Sequence, residues 1–278
     1  MRIPVKHAWP AVLALAACSA GAWWLQRGGV ERSGDDVPPP HPAAEMIVAG
    51  LGGFRGLVAE AVWFRADRLQ DEGRYAELAQ LATWLTFLEP HTPEVWAYAA
   101  WNLAYNVSVM MPGAEDRWRW VQAGLRLLRD DGLRLNPADP VLHRELAWLF
   151  LFKIGGNLDE AWRYYRKEWR AISAQGPEAM GLSAAVCAEI DAEYGKQDWG
   201  DPYASALYWS HVGMRFAKRP EQRMELRQIL YQTLMVEARH DPRFAPRALK
   251  ELRVAYGERP HPELKKVIDG FRARFSLE

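Results

Sequence analysis

From Met46 to the end of the chain, apolar residues recur at intervals of three and four, the spacing that lines up one face of an α-helix. In LVAEAVWFRADRLQ this places Leu57, Ala61, Phe64 and Arg68 on one side, with Val58, Val62 and Leu69 beside them. No stretch alternates apolar and polar residues over the length of a strand, and no Asn-Gly pair marks a hairpin. Pro and Gly break the pattern at regular intervals: Gly73, Pro90 with Pro93, Pro112 with Gly113, Pro137 with Pro140, Gly155 with Gly156, Pro177, Pro202, Pro220, Pro246 and Pro262. Proline is tolerated in the first turn of a helix and disrupts its interior, so these prolines predict helix starts. Glu94, Glu178, Glu221 and Glu263 each follow such a proline, where a carboxylate meets the positive end of the helix dipole. The pattern predicts about ten or eleven helices joined by short turns, with no sheet. The last would place Leu264, Val267, Ile268 and Phe271 inward and Lys265, Lys266, Arg272 and Arg274 outward.

The first 45 residues follow a different pattern. Arg2 and Lys6 precede an uncharged apolar run from Ala8 to Leu25. Eighteen residues at about 1.5 Å each reach about 27 Å, close to the roughly 30 Å of a bilayer's hydrocarbon layer. Trp23 and Trp24 sit near the far end, where indole rings favour the interface. Residues 1–27 therefore predict a single transmembrane or signal-anchor helix, with residues 8–25 in the membrane. A second reading competes: Leu15 to Cys18, LAAC, resembles the lipobox of bacterial lipoproteins, which would make Cys18 a lipidated first residue of the mature chain. The apolar AGAWWL after the cysteine fits the uncleaved anchor better. Residues 28–45, rich in Gly, Pro and charge, predict a semi-extended spacer. The short leading tail places the body on the periplasmic or extracytoplasmic side.

Two segments of the body repeat each other. LEPHTPEVW, residues 88–96, and LNPADPVLH, residues 135–143, hold two prolines in the same frame, and Trp101 and Trp148 follow at the same distance: 137 − 90 = 47 and 148 − 101 = 47. Around them, Ala66, Gly73, Tyr75, Leu78, Ala82, Leu85 and Pro90, then Trp96, Ala100 and Leu103, then Gly156, Ala161 and Tyr165, occur in the order of the tetratricopeptide repeat (TPR). The body resembles that family of antiparallel helix pairs. The period of 47 exceeds the family's 34, and Gly124 and Arg129 stand where a small residue and an aromatic are expected. The resemblance implies TPR-like helical repeats over 46–176, with 177–278 as divergent repeats or a cap: an all-α, TPR-like solenoid. Residues 50 to 170 also look like a group of membrane-anchored bacterial proteins, a resemblance that implies location but no activity.

Composition narrows the function. A chain of 278 residues that is 49% hydrophobic can bury a core, and 35 basic against 35 acidic residues leave no net field to attract nucleic acid. Cys187 lies in an apolar run and predicts a buried thiol. The sequence has no Gly-rich phosphate loop, His-Glu-x-x-His, zinc-spaced Cys pair or Gly-x-Ser-x-Gly elbow, so no catalytic, metal or cofactor set is predicted. His143 and Glu145 are two apart and so face different ways on a helix. The 14 Trp suit either core packing or binding. In the resembled fold the first helix of each pair lines the concave face, which implies Trp63, Asp67, Trp101, Tyr105, Arg144 and Trp148 as protein-binding residues; Asn102 and Asn106, one turn apart, are spaced to hydrogen-bond a partner's backbone. The expectation is a membrane-tethered, non-enzymatic scaffold or adaptor that binds a protein partner in the bacterial envelope. An obligate structural subunit of a larger membrane complex is the alternative, and an enzyme acting on envelope polymers the third choice.

Overall fold

The computed structural model describes residues 51, 54–256 and 262–275. The chain divides into residues 1–39 and 40–278, and the first unit, with the predicted anchor and Cys18, lies outside the described residues, as does the spacer 28–45. Among the described residues no helix is long and apolar enough to cross a membrane.

The described body is all-helical, 79% helix with no strand. It opens with α1 (Arg55–Asp71) and α2 (Tyr75–Leu88). Next comes α3, which runs Pro93–Trp101, through a π turn at Asn102–Val107, to Ser108–Met110. α4 runs Ala114–Arg126, through a π turn at Leu127–Gly132, to Leu133–Leu135. α5 runs Pro140–Trp148 and ends in a third π turn, Leu149–Ile154. Then follow α6 (Trp162–Ser173), α7 (Ala184–Tyr194), α8 (Pro202–Phe216) and α9 (Pro220–Glu237). A short 3-10 turn, Pro242–Phe244, leads into α10 (Ala245–Tyr256), and α11 (Pro262–Phe275) closes the chain.

Local chemistry sets most of these boundaries. Pro93, Pro140, Pro202 and Pro220 occupy first turns. Asp139 caps α5, accepting from the Val141 and Leu142 N–H groups at 2.8 and 3.4 Å, and Asp201 caps α8 through Tyr203 N. Gly73, with φ of 69°, ends α1: its N–H bonds Gln70 O and Arg74 N bonds Leu69 O, a Schellman closure. Pro177 departs from expectation. It opens a turn rather than a helix, because Gly176 and Gly181 on either side both take positive φ and Leu182 N folds back onto Pro177 O.

Each helix rests on its neighbours. α1 packs on α2, α2 on α3, and α3 on α4, while α3 also meets α5 and α4 meets α6. Further on, α5 meets α8 and α9, α8 packs on α9, α9 on α10, and α10 on α11. One apolar cluster runs from α2 to α11, centred on Phe150, Tyr165 and Trp169, and two small clusters lie under α1. Ile268 and Phe271 of α11 join the main cluster, but Val267 faces out, against expectation. A helix pair cannot bury its apolar face alone, so stability here comes from stacking.

Two glycines permit close crossings. A Cβ on Gly124 would stand 2.7 Å from Ala100 O and 3.2 Å from Ala104 Cβ, so the departure from the repeat pattern at this position lets α4 press against α3. A Cβ on Gly213 would stand 2.8 Å from both His143 Cβ and Leu226 Cδ2, so α8 is wedged between α5 and α9. Gly213→Ala is expected to cost about 1–3 kcal/mol through overpacking, measured as a lower urea midpoint at unchanged slope. An unchanged midpoint would mean that these helices separate without penalty.

Candidate binding face

The doubled sequence produces a doubled geometry. The π turns of α3 and α5 begin at Asn102 and Leu149, again 149 − 102 = 47 residues apart. Each follows the repeated Trp, and each carries a second ring four residues on, Tyr105 or Phe152 (152 − 105 = 47). Trp101 and Tyr105 stack with centroids 5.5 Å apart and 21° between planes, and Trp148 meets Phe152 at 4.3 Å. Trp101 and Trp148 are each 42% exposed, and among the described residues no other Trp is as open; Trp96, Trp118, Trp169 and Trp209 are core. Among the described tryptophans the roles therefore split, with those four packing the interior and this pair facing solvent one repeat apart.

Trp101, Arg144 and Trp148 line a cleft of about 350 Å³, which Glu145 of α5 and Glu225, Gln228, Ile229 and Gln232 of α9 complete. Arg144 holds the two helices together: Nη1 donates to Glu225 Oε2 at 2.5 Å and Nη2 to Glu145 Oε1 at 2.6 Å. With one guanidinium against two carboxylates, the cleft wall carries net negative charge beside two indole rings. That arrangement suits a side chain with an apolar stem and a cationic or hydrogen-bonding tip.

The other predicted residues fall elsewhere. Tyr105 stands behind Trp101 as the second layer of the wall, and burial, with the Glu145 charge beside it, raises its pKa and keeps it neutral. Asn102 is fully buried: its Nδ2 donates to Tyr98 O at 2.9 Å and its Oδ1 accepts from Asn106 Nδ2 at 2.7 Å. It therefore braces the π turn instead of meeting a partner's backbone, and Asn106 is held by it. Trp63 packs on Tyr98 at 5.0 Å, and Asp67 is exposed on α1; neither lines the cleft. His143 is buried against Trp209 and Phe216, with Nδ1 2.7 Å from Asp139 O, and burial lowers its pKa. Cys187 is buried and its thiol pKa is pushed up to about 11 by burial, the opposite of nucleophile activation.

A buried ionic network supports the wall from behind. Lys153 Nζ donates to Asp159 Oδ2 at 2.6 Å and lies 5.2 Å from the Tyr105 ring and 5.8 Å from that of Tyr165. Asp159 Oδ1 accepts from Ala161 N at 2.9 Å and from Arg117 Nη1 at 3.3 Å. Burial lowers the Lys153 pKa, with Asp159 opposing; against its own burial, Asp159 is held below the ordinary carboxylate value by Lys153 and the Ala161 N–H. The π turn of α5 thus delivers a lysine inward, joining α5, α4 and the turn before α6 at the back of the aromatic pair.

Glu189, Glu193 and His211 bring possible metal-ligand atoms within 4.8 Å of one another. The imidazole, however, turns Nε2 to Glu189 at 3.1 Å and Nδ1 to the Tyr194 hydroxyl at 3.1 Å and Glu193 at 3.6 Å. Arg215 and Arg247 already pair with the two carboxylates, each at 2.5 Å. The two carboxylates are thus already matched by guanidinium charges, and the ion pairs link α7, α8 and α10.

Sequence reasoning missed the α9 side of the cleft. Its signal was present in Glu225, Gln228 and Gln232, polar positions three and four apart on one face of an amphipathic helix. What the sequence lacked was a reason for α9 to cross α5, and Gly213 supplies it. No family model, curated protein or solved structure matches this chain.

Proposed function

We propose that this chain is a membrane-tethered, non-enzymatic adaptor of the bacterial envelope. In this reading its helices form a TPR-like solenoid held at the membrane through residues 8–25, with the body on the extracytoplasmic side. The α3/α5/α9 cleft docks a segment of a protein partner. The observation that carries the reading is an exposed Trp backed by a second ring four residues on and followed by a π turn, presented twice, 47 residues apart (148 − 101). Large rings held open at the surface cost solvation unless something covers them, and Trp and Arg in a partly enclosed pocket are the usual anchors of protein interfaces. The ring contacts of Trp101 with Tyr105 and of Trp148 with Phe152, and the buried Lys153–Asp159 contact, hold those indoles in place, which reduces the ordering cost of binding.

The test is site-specific photo-crosslinking from position 228, which lines the cleft, in native membranes. A discrete protein adduct is expected in the otherwise unaltered chain. With Trp101→Ala and Trp148→Ala together its yield should fall at least roughly tenfold, since losing a central aromatic anchor typically costs about 2 kcal/mol or more. An adduct that forms equally well without both rings would end this reading of the cleft.

A further inference from the structure

The first helix carries an apolar face that nothing described covers. Phe54, just ahead of α1, is 69% exposed, and Leu57 and Phe64 are 64% and 70% exposed. With the exposed Ala61 between them they form one stripe at helical spacing, continued by Arg68. The opposite side, Ala59, Ala66 and Leu69, is buried against α2 and α3. α1 is therefore apolar on both sides, whereas the end element of a stacked array ordinarily turns a polar face outward.

We infer that the outer face of α1, Phe54, Leu57, Ala61 and Phe64, rests on the lipid surface at headgroup depth. This rests on the membrane-tethered reading above. Only 55 − 25 = 30 positions separate the end of the apolar run at Leu25 from the start of α1 at Arg55, the first helix described after the proposed tether. Arg68 lies within the stripe, Arg65 borders it on one side and Glu60, Asp67 and Asp71 on the other, all exposed. A headgroup layer that presents both ammonium and phosphate groups accepts both signs while arginine stems reach past the apolar boundary. Antiparallel pairing with a second copy would instead set the acidic edge against its own kind.

The full chain, with an environment-sensitive fluorescent amino acid at position 61, is reconstituted into nanodiscs of phosphatidylethanolamine and phosphatidylglycerol, with and without brominated acyl chains. A parallel sample carries the probe at position 224, where Met224 is exposed on α9. Blue-shifted emission and several-fold stronger bromolipid quenching at 61 than at 224 are expected. Phe54→Ser, Leu57→Ser and Phe64→Ser together should abolish the difference while the chain still floats with the discs and keeps its helical circular dichroism. Aqueous, unquenched emission at 61 in a chain that floats overturns the inference but leaves the tether intact. Self-quenching at 61 that grows with copies per disc assigns the face to a second copy and overturns it as well. A chain that does not float removes both.

Discussion

Lys153→Met is expected to destabilise the protein by about 3–5 kcal/mol, the cost of breaking one partner out of a buried ion pair. The Lys153 and Asp159 side chains are almost wholly enclosed, at 4% and 5% exposure, so solvent does not replace the lost contact. Methionine matches the stem of lysine, and the loss is therefore electrostatic rather than a cavity. What remains is a desolvated Asp159 supported by the Ala161 N–H at 2.9 Å and by Arg117 at 3.3 Å. Asp159→Asn in the same chain removes that stranded charge while keeping an oxygen for both donors. The double variant should be more stable than the sum of the single effects predicts, by about 1–2 kcal/mol, as directly bonded residues usually couple. Urea unfolding of the four proteins gives this coupling, and additive effects would show that Lys153 and Asp159 act independently. Because Lys153 also lies over the Tyr105 ring, Lys153→Met should disturb the Trp101–Tyr105 stack, visible as a shifted Trp101 indole resonance.

These residues mark where the sequence was legible. Helical spacing and the prolines at 93, 140, 202 and 220 place helix starts correctly, because they depend on contacts within a few residues. Gly73 likewise marks the end of α1 through its own backbone geometry. The three π turns were not legible. One extra residue per turn leaves the apolar spacing nearly unchanged but rotates everything after it, and so turns Lys153 inward to Asp159. The repeated Trp identified half of the cleft, Trp101, Arg144 and Trp148. The α9 half depends on how closely α8 is wedged, a consequence of Gly213 meeting His143 and Leu226 that only tertiary packing reveals. Asn102 shows the converse. On a regular helix it could have faced a partner, but the π turn takes both ends of its amide for local bonds.

Between pH 5 and 8 the stability of the body should fall as pH rises, with Glu237 as the principal cause. Its Oε2 is enclosed without a hydrogen-bond partner near the end of α9, and burial, followed by the nearby charges of Asp201, Asp241 and Asp198, pushes its pKa up to about 8. In the unfolded chain the same carboxyl titrates near its ordinary value of about 4.3. Below that value it is protonated in both states and its neutral form contributes fully to stability. Above it the unfolded state gains by ionising while the folded state must keep the proton, so stability declines until the folded carboxyl ionises near pH 8. The shift corresponds to roughly 3–5 kcal/mol at most, and residual solvent access at a half-buried side chain brings the expected loss to about 2–3 kcal/mol. His143 pulls the other way only at the acidic end, because its depressed pKa removes stability as pH falls through about 6.5. The interval from pH 6.5 to 8 therefore isolates Glu237. Glu237→Gln keeps the shape and removes the proton equilibrium, so its urea midpoint should stay nearly level across that interval and exceed that of the unaltered protein at pH 8. Parallel pH profiles for the two proteins would mean that Glu237 is ionised in the fold and that another charge screens it from the three aspartates.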